Sequence, residues 1–367
     1  MSRARDFADL ASAYSQDAIG QRNILINGNM SIYQRGSSVI TGNAGAYALD
    51  RWQFYQYGGG HATITQDTEV PTGQGFLNSL RVDVTQAESS MAASDLYILR
   101  QRVEGFNCQR IRKGTSSARP LTLQFWVRSP KTGIHTVQIW DETDATRHVS
   151  KSYTISTADT WQYVTVTFPA DTSGGAFSDD NQPALQLQFW LGGGSTYTGG
   201  SSLGETWGST ANERAVGQVN CMDNTSNNFY ITGIQLECGE VATPFEHESY
   251  DETLRKCLRY YIMHKNTSGD TTYFSHLQAY STTNIFGHIK DYPATMRTTP
   301  SVAQSGTYTG AQADSSNASM ATAIGNLVAG ADGWGSQGWG SGSGLTAGHY
   351  VNVAWQNNAY LTADAEL

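Results

Sequence analysis

The side chains in this sequence best suited to chemistry are its carboxylates, its histidines and a set of regularly placed tryptophans. Asp141, Glu142 and Asp144 crowd together, and Asp179 and Asp180 are adjacent. Glycoside hydrolysis needs only two carboxyls about 5–9.5 Å apart and leaves no linear motif, so these residues are the candidates for a polysaccharide depolymerase. The competing reading is that they are solvated turn residues, and their settings favour it. His264, His276 and His288 share a spacing of twelve, which matches no metal pattern. Asp179-Asp180-Asn181 has the oxygen chemistry of a structural Ca²⁺ loop and is the one metal candidate. No HExxH, GxSxG, GxxxxGKS/T or strand-linked GxGxxG occurs. Zinc proteolysis, hydrolase-elbow, P-loop and dinucleotide chemistry therefore lose their usual support, and a non-enzymatic protein is expected.

Composition says what must position these groups. There are 38 glycines, 8 prolines and only 15% charged residues, which fits many short strands joined by tight turns, so an all-β fold is expected. At 367 residues the chain is long enough for two folded modules. The 23 Lys+Arg against 32 Asp+Glu leave a formal charge of −9, which repels nucleic-acid phosphates. The charged start Met1-Ser2-Arg3-Ala4-Arg5-Asp6 is followed by no apolar run of signal-peptide length, and no stretch approaches the ~20 apolar residues of a membrane span. Synthesis and folding in a cytoplasm are expected. Cys108, Cys221, Cys238 and Cys257 lack any CxxC spacing and read as reduced, buried thiols.

Periodicity divides the chain. Phe7, Leu10, Ala11 and Tyr14 form an i, i+3, i+4, i+7 stripe with nothing local to pack on, so residues 1–22 are expected to dock onto another protein. From Asn23 the period becomes two, giving one large β domain to about residue 248. Ser249 and Glu252 make a capping box, and Leu254, Leu258, Tyr261 and Ile262 a stripe, which predicts a linking helix over 249–264. Residues 265–367 return to strand and turn composition as a smaller β domain, with Ala331 to Gly344 expected as a glycine-rich loop.

Several phrases together carry a family resemblance: RARDFADL at residues 3–10, NILING at 23–28, Gln34-Arg35-Gly36, and Leu49-Asp50-Arg51-Trp52. LTLQFWVRS at 121–129, FYITGIQLECG at 229–239, TPFEHESY at 243–250 and CLRYY at 257–261 continue it. In order and spacing they resemble bacteriophage tail-fibre and virion structural proteins. The main domain is similar to the jelly-roll carbohydrate-binding modules of polysaccharide-degrading enzymes. The resemblance covers about residues 3–262. It implies a jelly-roll sandwich, a place on the virion, a homotrimer, contact with other virion proteins through the N-terminus, and adhesion to a glycan or protein of the host surface. A structural virion protein such as a head fibre, baseplate or tail decoration, touching only other virion proteins, is the alternative.

Strand alternation sorts the remaining candidates by face. Leu121, Leu123, Phe125 and Val127 must face a core, which turns Gln124 and Trp126 outward. Likewise Val137 and Ile139 leave Gln138 and Trp140 outside, and Leu185, Leu187, Phe189 and Leu191 leave Gln186, Gln188 and Trp190 outside. Gln two residues before Trp thus recurs on three strands. If these strands are neighbours, their outer face is a row of rings and amides suited either to sugar or to a subunit interface.

Overall fold

The structure, a computed structural model, describes residues 21–42, 44–266, 272–279, 281, 284–306, 308–312, 327–330, 332–340, 346–355 and 358–367. The stripe Phe7, Leu10, Ala11 and Tyr14 lies outside these residues. The chain divides after Tyr250 into two compact units.

The first unit is a sandwich of two six-stranded antiparallel sheets. Its strands are β1 (Ser38–Ile40), β2 (Ala44–Tyr47), β3 (Gln53–Tyr57), β4 (His61–Asp67), β5 (Ser79–Gln86), β6 (Leu96–Glu104), β7 (Leu121–Arg128), β8 (Gly133–Asp141), β9 (His148–Ile155), β10 (Gln162–Phe168), β11 (Pro183–Gly193) and β12 (Asn228–Cys238). One sheet runs β1-β4-β5-β12-β7-β10 and the other β2-β3-β6-β11-β8-β9. Single turns of helix, α1 (Gly105–Cys108) and α2 (Ser195–Thr198), follow β6 and β11. Alternation assigns the core correctly: Leu123, Phe125, Val127, Val137, Ile139, Leu185, Leu187 and Phe189 are all fully buried between the sheets. Phe125 packs edge-on against both Phe189 and Tyr153, with centroids 5.0 and 5.1 Å away.

The phrases at residues 23–28, 34–36 and 49–52 meet in one knot of the scaffold, and RARDFADL at 3–10 lies outside the described residues. Asn27 Nδ2 donates to the carbonyls of Ile32 and Asp50, Trp52 Nε1 donates to Asn27 O at 3.0 Å, and Asp50 accepts from Gln34. Residues 23–28 lie along β12, where Ile24 N donates to Leu236 O and Ile234 N to Gly28 O. Backbone contact there is so close that a Cβ on Gly28 would sit 2.0 Å from Ile234 O. Gln21 and Arg22, at the end of the expected docking segment, are held as well: Gln21 N donates to Glu246 and Arg110 donates to the Arg22 carbonyl. These motifs hold the sandwich together.

The second unit opens within α3 (Tyr250–Leu258), at Asp251, followed by β13 (Tyr261–Lys265), β14 (Thr272–Ala279), β15 (Asn284–Asp291), β16 (Ser301–Ser305), β17 (Tyr308–Gln312), β18 (Leu327–Ala329), β19 (Gly333–Gly340), β20 (Tyr350–Trp355) and β21 (Tyr360–Asp364). They form a three-stranded sheet β13-β21-β16 and a six-stranded sheet β17-β20-β14-β15-β19-β18. Two expectations change here. The helix stops at Leu258 and not at 264, because Tyr261 to Lys265 pair with Tyr360–Asp364 and tertiary pairing overrides the local helical stripe. Gly333–Gly340 is a strand and not a loop, since its backbone bonds to both β15 and β18, a role that needs no apolar side chains. Ile262, Leu277, Met296, Val351, Val353 and Leu361 centre this unit's core. Among the described residues, no helix is long and apolar enough to cross a membrane.

Candidate functional site

The structure separates the three tryptophans. β7 belongs to one sheet, whereas β8 and β11 are neighbours in the other, so Trp126 lies on the opposite side of the sandwich from Trp140 and Trp190. Alternation fixes the face of a residue within its own strand but not the sheet its strand joins, and here the chain crosses from one sheet to the other between β7 and β8. Trp126 is half-buried beside Tyr163, which donates to Gln124 Oε1, while Gln124 Nε2 donates to Thr243 O at 2.8 Å. Trp190 is fully buried, and its cover is the chain's own segment 194–218. It is therefore neither an open glycan platform nor a subunit contact.

That segment forms a lid over β11, β8 and β9. It starts at Gly194, whose N–H donates to Asp95 O, in a turn so tight that a Cβ would lie 1.9 Å from Ala92 O. Farther on it shields the free edge of β9, where Gly208 and His148 exchange backbone hydrogen bonds and Ser150 N donates to Gly204 O. Its anchor is Arg214. The guanidinium stacks on Trp140 at 4.1 Å and also faces Trp190 and Tyr197, at 5.1 and 5.2 Å. It donates to Gln138 Oε1 at 2.9 Å and Gln188 Oε1 at 3.2 Å, and Gln138 passes a bond on to Ser150 Oγ. Two of the expected Gln–Trp pairs thus bind the protein's own arginine.

Cross-strand register shows how the rest of this outer face is built. Tyr47, Gln53, Arg100, Gln188, Gln138 and Ser150 stand opposite one another in a row that crosses the whole sheet. A second row runs Arg102, Gln186, Trp140, His148, and a third pairs Tyr55 with Ile98 and Trp190. Outside the lid, Tyr47, Gln53, Tyr55, Arg102 and Glu142 all retain solvent exposure, and Tyr57 is 44% exposed; Trp140 is half-buried beneath Arg214. Arg102 Nε donates to Glu142 Oε1 at 2.9 Å, and Gln186 donates to the same oxygen. Arg100 lies over the Tyr55 ring at 4.3 Å and donates through Nε to Gln53 Oε1 at 2.7 Å. Burial lowers the pKa of both Arg100 and Arg214 to about 10, which leaves them cationic at neutral pH. His148, stacked on Trp140 with an interplanar angle of 7°, is pushed to about 4 by burial and by Arg214, and is neutral.

The carboxylate candidates diverge. Asp141 is wholly buried and pairs with Lys113 Nζ at 2.7 Å; Lys113 also reaches Asp171, which a bidentate Arg147 holds at 2.6 Å on both oxygens. Burial alone would raise the Asp171 carboxyl, but Arg147, the N–H groups of Gly174 and Ser173 and Lys113 outweigh it and hold it below the usual range. Glu142, one residue on, faces outward onto Arg102. Asp144 caps the turn at Thr146, and Asp180 Oδ1 accepts the Gln182 N–H. Among the described residues, no three His, Cys, Asp or Glu groups come together to hold a metal ion. His276 bonds Asn352 in the second unit, and His264 is likewise a strand residue there. The thiol of Cys221, 3.8 Å from His135 in the core, is raised to about 12 by burial and is inert as a nucleophile.

Sequence reasoning missed Tyr47, Gln53, Tyr55, Arg100, Arg102 and Arg214. One signal was present in Tyr97-Ile98-Leu99-Arg100-Gln101-Arg102, where two arginines two apart share one face of an otherwise apolar strand.

No protein-family model matches the chain, and no curated protein matches it. Among solved structures it is similar to the enzymatically active domain of tailspike protein 4 from bacteriophage CBA120, at 13% identity and a TM-score of 0.32, over 59% of this chain and 21% of that one. It is also similar to a family 11 carbohydrate-binding module from Clostridium thermocellum in complex with a mixed-linked tetrasaccharide, at 12% identity and a TM-score of 0.29, over 57% of this chain and 98% of that one. The N-terminal cellulose-binding domain of a Cellulomonas fimi β-1,4-glucanase shares 14% identity at a TM-score of 0.28, over 58% of this chain and 95% of that one. At these scores the likenesses carry no argument about what this chain does.

Proposed function

We propose that the chain is a non-enzymatic adhesion subunit of a bacteriophage particle, a fibre or receptor-binding protein that grips a host glycan with the open half of the outer β2-β3-β6 face. The observation that carries the glycan reading is the composition of that half. The rings of Tyr47, Tyr55 and Tyr57 stand beside donors on Gln53, Arg100 and Arg102, with the acceptor Glu142 held by Arg102. Aromatic faces stack on the apolar faces of sugar rings, while fixed amides and guanidinium groups read hydroxyls. The scattering of the carboxylates, with Asp141 neutralised inside and Glu142 tied to Arg102, supports binding without hydrolysis. The place on the virion, the homotrimer and docking through Phe7, Leu10, Ala11 and Tyr14 rest on the resemblance of the quoted phrases to phage fibre proteins.

The test is affinity electrophoresis of the purified chain in gels containing host-surface polysaccharides. Retardation is expected, with Tyr55→Ala weakening it by roughly tenfold, since stacking on one ring supplies about 1 kcal/mol or more. Unaltered retardation of Tyr55→Ala would remove this face from the site. Release of reducing ends from the polysaccharide would make the chain a depolymerase.

A further inference from the structure

Arg100 is only 9% exposed, sits on a central strand and is the most deeply buried cation of the open half. Its neighbours are the amide of Gln53, the ring of Tyr55, the backbone partner Gln188 and another cation, Arg102, while Tyr47 and the Glu142 carboxylate act on it only from beyond ion-pair distance. Among the described residues it makes no ion pair, and its two terminal nitrogens have no acceptor. Arg214 under the lid likewise has only amide and aromatic partners. Among the described residues neither Arg100 nor Arg214 makes an ion pair, and the Glu142 carboxylate on this face is held by Arg102.

A buried guanidinium without a counter-ion is costly, and the chain has carboxylates to spare elsewhere. A Gln or Leu at this position would pack between Gln53 and Gln188 without that cost. Resting on the glycan reading above, we propose that Arg100 recognises a carboxylate on the ligand, so that the polysaccharide bound is an acidic one built with uronic or comparable sugar acids. The Nε edge is committed to Gln53 and the ring of Tyr55 fixes the guanidinium plane. The remaining pair of terminal nitrogens is a fork with the geometry to take both oxygens of a carboxylate.

The experiment compares the full chain's affinity for carboxylated polysaccharides (polygalacturonate, alginate, hyaluronan and polysialic acid) with its affinity for the same polymers after chemical reduction of their carboxyls, by calorimetry at fixed ionic strength. At least one native polymer is expected to bind roughly tenfold or more tightly than its reduced form, the range for a charge-assisted pair. Arg100→Gln should bring that ratio close to one, and Arg100→Lys, which keeps the charge but loses the fork, should leave it in between. Thermal unfolding checks that each variant folds, and Arg100→Gln should melt no lower than the parent. Equal affinity for native and reduced polymers, or binding confined to neutral polysaccharides, would overturn the acidic-ligand proposal and leave the glycan reading standing. Binding to no polysaccharide would overturn both.

Discussion

The two outer faces of the sandwich carry similar residues in opposite states of balance. On the β1-β4-β5-β12-β7-β10 side, Arg81 pairs with Asp83 at 2.8 Å and Asp67 at 3.7 Å, and Arg128 with Glu69 at 2.9 Å. Both guanidinium groups lie over the ring of Tyr230. The buried Glu237 is satisfied by Gln235 and by the N–H and hydroxyl of Thr243. On the other side Arg100 and Arg214 make their direct contacts with rings and amides and, among the described residues, no ion pair. A face whose charges are neutralised internally has little left to offer a ligand. One that keeps cations outside any ion pair holds unspent interactions that a partner can complete.

Truncating matched tryptophans breaks this comparison most sharply. Trp190→Ala empties a site that is fully enclosed under the lid, and a loss of about 3–5 kcal/mol in denaturant unfolding is expected. Trp126→Ala, on the half-exposed counterpart, should cost less than half of that. Equal losses would mean that the lid does not cover Trp190 in solution.

The next effect is a pH dependence. His148 under the lid and His135 in the core both have pKa values pushed down to about 4, chiefly by burial. In the unfolded chain each takes up a proton below its ordinary value near 6.5, whereas the folded chain resists until about 4. The unfolded state then binds more protons, so stability falls as pH drops through this window, by about 2–3 kcal/mol for each histidine. Chemical denaturation at pH 7.5, 5.5 and 4.5 measures the slope. His148→Asn should flatten it, and an unchanged slope would mean that this ring is already protonated or exposed in the folded state.

The smallest effect belongs to the balanced face. Arg128 is exposed enough that its pair with Glu69 is screened, so Arg128→Gln should change stability by no more than about 1 kcal/mol and leave glycan affinity untouched. Lost retardation in polysaccharide gels would move the site to this side of the molecule.

The all-β class, the division of each strand into core and outer residues, and the buried thiols of Cys108, Cys221 and Cys257, though not of Cys238, which is only partly buried, were legible in the sequence, because a period of two and a residue's polarity are local properties. Leu123, Phe125, Ile139 and Leu187 face the core whichever sheet their strands join. Only the tertiary structure decided that β7 leaves the sheet that β8 and β11 share, that Tyr261 to Lys265 is a strand, and that residues 194–218 fold over Trp190. Each of these depends on backbone hydrogen bonds between segments far apart in the chain, which local periodicity does not encode. The open site emerged the same way: Tyr47, Gln53 and Arg100 come from three separate strands and become neighbours only through register, so no spacing along the sequence brings them together.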